Sequence, residues 1–155
     1  MAVVDLLELP ALLPQHAPIV GLDLGEKTIG VAVSDTTRIV ASPLELIRKV
    51  KFTEDAAALF KLMDGRGAAG IVIGLPVNMD GTEGPRCQSS RAFARNILRL
   101  KDLPVAFWDE RMSSMAVNRM LIDEADMNRA RRAEVVDKAA AGWILQGALD
   151  RLRNG

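Results

Sequence analysis

Tyrosine is missing from this chain, and the other aromatics make up only 4% of it. So thin a supply argues against a platform of stacked rings for single-stranded bases. Cysteine occurs once, at Cys87, which excludes an intrachain disulfide and suits a reducing cytoplasm. Histidine also occurs once, at His16, inside a leading segment interrupted by prolines. Net charge is zero, with 20 basic and 20 acidic residues, which excludes a uniformly basic nucleic-acid binder but not a local basic face. No apolar run approaches the roughly 20 residues of a membrane span, so no membrane role is expected. Met1 to Pro18 is apolar but carries Asp5, Glu8, Pro10, Pro14 and Pro18, and it lacks the basic start of a secretory signal. We read residues 1–18 as a flexible or surface-packed extension and residues 19–155 as one domain.

What remains is ordinary in bulk, 49% hydrophobic and 26% charged, and long enough to bury a core. Apolar runs bounded by turn residues predict strands over Ile19–Leu24, Thr28–Ser34, Arg38–Ala41, Gly70–Gly74 and Pro104–Trp108. Helical spacing predicts a helix over Phe52–Met63, ended by Gly65 and Gly67, and another from about Cys87 to Leu100. A third should start at Ser113 or Ser114 and reach Ile122, and a fourth should cover Ala133–Leu152. The order β-β-β-α-β-α-β-α-α implies an α/β fold. Three antiparallel strands followed by alternating helices and strands make a five-stranded mixed sheet with helices on both faces.

Against this apolar background, Asp23, Glu110 and Asp137 stand out. Asp23 interrupts the strand Ile19-Val20-Gly21-Leu22-Asp23-Leu24, and Glu110 closes Val105-Ala106-Phe107-Trp108-Asp109-Glu110. Asp137 opens the helical face that continues through Ala140, Ala141, Ile144 and Ala148. Unpaired buried carboxylates are costly, so such groups are usually paired or bind metal. Each acid has a plainer reading: Asp23 as a cap on the Gly25 turn, Asp137 as a helix N-terminal carboxylate, and either Asp109 or Glu110 as a partner of Arg111. Together, at two strands and a helix start, they suit hard oxygen ligation of a divalent ion such as Mg²⁺.

The segment from Gly21 to Asp35, Gly21-Leu22-Asp23-Leu24-Gly25-Glu26-Lys27-Thr28-Ile29-Gly30-Val31-Ala32-Val33-Ser34-Asp35, resembles the opening signature of the YqgF/RuvX-type pre-16S rRNA nuclease family, which is Holliday junction resolvase-like. Gly74-Leu75-Pro76-Val77-Asn78-Met79-Asp80-Gly81-Thr82-Glu83-Gly84, Asp109-Glu110-Arg111-Met112-Ser113-Ser114 and Val136-Asp137-Lys138-Ala139-Ala140 match it in order. The resemblance spans about residues 19 to 152. It implies an RNase H-like fold and a cytoplasmic nuclease acting on the 5′ end of pre-16S ribosomal RNA, with branched DNA as the other substrate to consider. It also carries over Asp23, Glu110 and Asp137 as the catalytic and metal-binding acids. Thr28 departs from the pattern, since many relatives have Arg there, and Met112 stands in place of the more usual Leu.

The expected chemistry is phosphodiester hydrolysis assisted by Mg²⁺ or Mn²⁺, with two ions roughly 4 Å apart. Asp23 would bridge them, Glu110 and Asp137 would complete one each, and water would be the nucleophile, His16 being outside the domain. For the substrate, Arg91, Arg95 and Arg99 form one helical stripe, with Arg86 and Lys101 nearby and no acid between Pro85 and Lys101. Like charges at that spacing repel, a cost that a phosphate backbone offsets. Arg129, Arg131 and Arg132, expected in a loop just before Asp137, and Lys27 and Arg111 beside the other acids, are further candidate RNA contacts. Asn78 to Gly84 would form a substrate-facing rim.

Two other classes compete. Asp23-Leu24-Gly25 followed by Thr28 also resembles the first phosphate loop of actin-like ATPases, but 155 residues cannot hold the two subdomains such a site needs. A non-catalytic RNA-binding module on the same fold is the other. Oligomeric state is open; a junction resolvase should be a symmetric dimer, and no dimer seam is evident.

Overall fold

Turn chemistry at Gly25 sets up the first half of the sheet. β1 (Ile19–Leu24) returns antiparallel as β2 (Thr28–Ser34), with Asp23 opposite Gly30. The Gly25 N–H donates to the Thr28 carbonyl at 2.8 Å, and a β-carbon at position 25 would stand only 3.1 Å from that oxygen. The structure, a computed structural model, describes residues 3–112 and 129–154, with the side chains of the last helix from Ala139 onward.

β3 (Ala41–Arg48) pairs antiparallel with β2, and α1 (Phe52–Arg66) leads into β4 (Gly70–Leu75), which lies parallel to β1. α2 (Pro85–Leu100) and β5 (Val105–Asp109) follow, the latter parallel to β4, and α3 (Arg129–Asn154) closes the described chain. The strand order is β3-β2-β1-β4-β5, a five-stranded mixed sheet. The helix expected from Ser113 or Ser114 to Ile122 lies outside the described residues.

Strand alternation sends β1 side chains to two different cores. Val20 and Leu22 join Ala56, Leu59, Met63, Ala94 and Ile97 beneath α1 and α2. Ile19 faces the other way, with Val72 and Ala106, against Ala141, Ile144, Leu145 and Leu149 of α3. Each fully buried Leu or Ile here contributes roughly 1.5–3 kcal/mol. α3 comes very close to the sheet because position 21 has no side chain: a β-carbon on Gly21 would lie 2.6 Å from Leu145 Cβ. Asp23, two residues further along β1, shares the face that α3 covers.

Several boundaries differ from the sequence expectation. The third strand is Ala41–Arg48 rather than Arg38–Ala41, and it runs through Pro43. Proline is tolerated because β3 is an edge strand and the ladder shifts register between Val31 and Ala32, where Pro43 pairs. The residues just before it are a turn instead: Asp35 Oδ1 accepts from the Ile39 and Val40 N–H groups at 2.8 and 3.1 Å, and Arg38 adopts φ 58°. Gly65 does not end α1; the helix continues to Arg66 and stops at Gly67, which is left-handed at φ 68°. α2 starts two residues earlier than Cys87, with Pro85 in its first turn, where its missing N–H costs nothing.

Arg129, Arg131 and Arg132 were expected in a loop, but they belong to the first turn of α3. The run Arg-Ala-Arg-Arg-Ala has high helix propensity and holds no glycine or proline to stop it. At the other end, residues 3–18 pack beside β5. Val3 bridges Val105, the Val4 N–H donates to the Val105 carbonyl at 2.9 Å, and Leu9, in the 3-10 turn Leu6–Leu12, is fully buried in the core under α3.

Candidate active site

Two of the three singled-out acids meet at the carboxyl edge of the sheet. Asp23 is the second-last residue of β1, and Glu110 begins the 3-10 turn Glu110–Met112 that directly follows β5. β4 lies between those strands, so the two side chains must bridge across it. Gly74 makes that possible. A β-carbon there would lie 3.1 Å from Glu110 Oε1 and 2.5 Å from Ile144 Cδ1, so the glutamate occupies the space a side chain would take.

The electrostatics follow from this crowding. Burial, most of all, and the nearby Asp23 charge, with a smaller contribution from Asp109, together raise the Glu110 carboxyl to about 7. Arg86, in the first turn of α2, acts in the opposite direction. Two hard carboxylates held close and half-buried, one of them reluctant to ionise, form a site that a divalent cation would relieve. The residues present therefore fit such an ion. Among the described residues, no three His, Cys, Asp or Glu side chains gather closely enough to hold one. The Asp137 side chain lies outside the described residues; its backbone is one helical turn ahead of Ala141, whose carbonyl would be 3.2 Å from a β-carbon on Gly21.

Asp109 and Glu110 divide the work between them. Asp109 ends β5 and is clamped by Arg111: its carboxylate accepts from Nη2 at 2.7 Å, from Nε at 3.0 and 3.2 Å, and from the backbone N–H at 2.9 Å. Hydrogen bonding to Arg111 holds the Asp109 carboxyl below its usual range. Arg111 is thus engaged with Asp109, and it also donates to the Met79 carbonyl at 3.5 Å.

The arginine stripe of α2 is less uniform than its spacing suggests. Arg91 forms a bidentate pair with Glu83, both bonds 2.7 Å, and its guanidinium lies 5.0 Å from the Phe107 ring centroid. The offsetting acid sits just before the helix, outside the span from Pro85 to Lys101. Arg99 donates to Asn96 at 3.3 Å, Lys101 pairs with Asp64 at 3.4 Å, and Arg95 is exposed. Lys27 is exposed in the turn after Asp23. The side chains of Arg129, Arg131 and Arg132 lie outside the described residues.

Two residues matter here that sequence reasoning did not assign to the site. The sequence shows Gly74 as a strand end and as the first residue of a family-like segment, and its role depends on a contact with residues far along the chain. Arg86 lies near the α2 stripe in sequence, yet its charge acts on Glu110. The loop Asn78 to Gly84 is tied internally by Asp80, which accepts from the Thr82 N–H and hydroxyl at 3.0 and 2.6 Å.

Residues 17–151 match the family described as "RuvX: Holliday junction resolvase". The chain is 80% identical over 155 residues to a protein of Phenylobacterium zucineum (strain HLK1) named "Putative pre-16S rRNA nuclease", the match covering 99% of each. A protein of the same name from Caulobacter vibrioides (strain NA1000 / CB15N) is 70% identical over 154 residues, again 99% of each. Among solved structures, Thermus thermophilus RuvC superposes with a TM-score of 0.51 at 10% identity, over 88% of this chain and 96% of that one. The same enzyme in complex with a Holliday junction substrate gives 0.50 at 12% identity and the same coverage. At such identities the likeness speaks for the fold alone, and that fold is RNase H-like.

Proposed function

The chain belongs to the RuvX family, and from that premise we propose that it is a metal-dependent nuclease that hydrolyses phosphodiester bonds of RNA. Its task in this reading is trimming the 5′ end of pre-16S ribosomal RNA, the substrate named for its close relatives. The observation that carries the reading is Glu110 lying over Gly74 within electrostatic reach of Asp23.

Asp23 and Glu110 would hold Mg²⁺ or Mn²⁺, with Asp137 as the third ligand and two ions in this reading. Such an ion supplies Lewis-acid stabilisation of charge developing on the phosphate and activates water. Glu110, with its carboxyl near 7, must give up its proton to serve as a ligand. Arg86 eases ionisation of Glu110 beside Asp23 and is a further proposed contact for the substrate phosphate. Lys27, Arg95, Arg99, Arg129, Arg131 and Arg132 are the proposed grips on the flanking backbone, each neutralising a phosphate and releasing counterions. Arg91 and Arg111 contribute less, because Glu83 and Asp109 already engage them. Among the described residues no helix is long and apolar enough to cross a membrane, and a cytoplasmic home is part of this proposal, in keeping with the buried, unpaired Cys87.

Purified protein in Mg²⁺ or Mn²⁺ should shorten a 5′-extended 16S precursor RNA and leave a four-way DNA junction whole. Junction cutting with the RNA intact would favour the resolvase reading suggested by the family's description. Failure on both, in the presence of a bound cation, would overturn the nuclease reading.

A further inference from the structure

On the opposite side of the sheet edge from α3, a cleft of about 570 Å³ opens one residue beyond Asp23. One wall is Leu24, Gly25 and Glu26, and the other is the start of α2, with Arg86, Ser89 and Phe93. Lys49 stands at the rim, where one of its N–H donors goes to the Gly25 carbonyl at 2.6 Å. The volume falls within the range of small-ligand sites, roughly 300–1,000 Å³.

The lining is mixed in an informative way. Arg86 and Lys49 are cations, and no acid in the first turn of α2 opposes them. Alone they would suit any anion. Leu24 and the half-buried Phe93 add apolar surface to the two walls, and Phe93 is braced edge-on by Phe52 at a centroid distance of 5.5 Å. Glu26 adds an acceptor, of the kind that reads an amino group on a base edge. A ring, a phosphate-binding pair and an amino-reading carboxylate together describe one nucleotide whose base is free of its partner.

We propose that this cleft binds the unpaired nucleotide flanking the bond to be cut, with its base against Phe93 and its phosphate between Arg86 and Lys49. The proposal rests on the nuclease reading above and adds its substrate requirement. Arg86 joins the two sites: it lines the cleft and also acts on Glu110. A strand lying over the sheet edge would pass from the acids to the cleft, whereas a base held in a duplex could not turn into it. One ring is enough for one base, although the chain is too poor in aromatics for a longer stacking surface.

The test uses the full chain carrying Asp23→Asn, so that bound RNA survives, and a short single-stranded RNA containing 2-aminopurine, alone and annealed to its complement. The single strand should bind about tenfold more tightly than the duplex, as stacking of one base allows. Ser89→Trp, placed at an exposed position of α2, should fill the cleft without disturbing the core and abolish that preference. Lys49→Ala should weaken single-strand binding several-fold more than duplex binding. Equal losses for both RNAs, or no loss with Ser89→Trp, would overturn the cleft assignment. Cleavage by the chain with native Asp23 separates the two readings. Cleavage that Ser89→Trp leaves untouched would sink the cleft and keep the nuclease; cleft-dependent binding without cleavage would do the reverse.

Discussion

Glu110 and Gly74 are complementary: the glutamate Oε1 lies 3.1 Å from where a β-carbon on residue 74 would be. The same absent atom would be 2.5 Å from Ile144 Cδ1, so one missing side chain admits both the acid and the packing of α3. Sheet, helix and acidic pair therefore depend on a single position in the strand that separates Asp23 from Glu110.

Gly74→Ala should accordingly lose cleavage activity and roughly 1–3 kcal/mol of stability. Adding Ile144→Val removes the Cδ1 methyl and should restore much of the stability, while activity stays low because Glu110 is still displaced. Denaturant melts and cleavage assays on the single and double variants separate the two effects.

Glu110 makes stability depend on pH in a defined direction. Its carboxyl is raised from 4.5 to about 7, so the folded chain holds this proton more tightly than the unfolded chain. The stability it contributes is full below about 4.5 and is lost as pH rises to about 7. Glu110→Gln should therefore raise the melting temperature of the metal-free protein at pH 8, by a few degrees, and change it little at pH 4. An equal shift at both pH values would count against the ionisation argument.

Asp109 and Glu110 are neighbours with different predicted sensitivities. Glu110→Gln should cost more than about a hundredfold in cleavage rate, beyond what loss of an outer-shell partner costs. Asp109→Asn should cost less than about tenfold, since it only releases Arg111. Single-turnover rates for the two variants give the comparison.

The α2 stripe should be functionally uneven. Arg95→Ala should lower the slope of log affinity against log salt by about one, as loss of a phosphate contact does. Arg91→Ala should leave that slope nearly unchanged, because Glu83 already engages the guanidinium. Salt titrations of RNA binding would resolve the difference.

The leading segment should matter to the fold. Leu9 is completely buried between the sheet and α3, so Leu9→Ala should cost about 2–5 kcal/mol, measured by urea unfolding.

Much of this architecture could be read directly from the chain. The apolar runs around Leu22, Val31, Ile73 and Ala106 are local signals, and they mark the strand that carries Asp23 and the strand that leads into Glu110. Contacts between distant residues were harder. Strand alternation could not choose between Asp109 and Glu110, because β5 ends at Asp109 and the 3-10 turn that follows breaks the alternation. Arg91 looked unopposed because its partner, Glu83, precedes the helix. Pro43 hid a strand that is permitted only at an edge, and the room Gly74 leaves for Glu110 has no sequence signature at all.

The acidic pair as a cation site is best tested by calorimetric titration of Mn²⁺ into the protein at pH 7, in buffers of different ionisation heat. The wild type should bind the ion and release protons, because the raised Glu110 carboxyl must ionise to coordinate. Asp23→Asn and Glu110→Gln should each lose most of that binding. Binding of equal strength in all three proteins, with no proton released, would contradict the account.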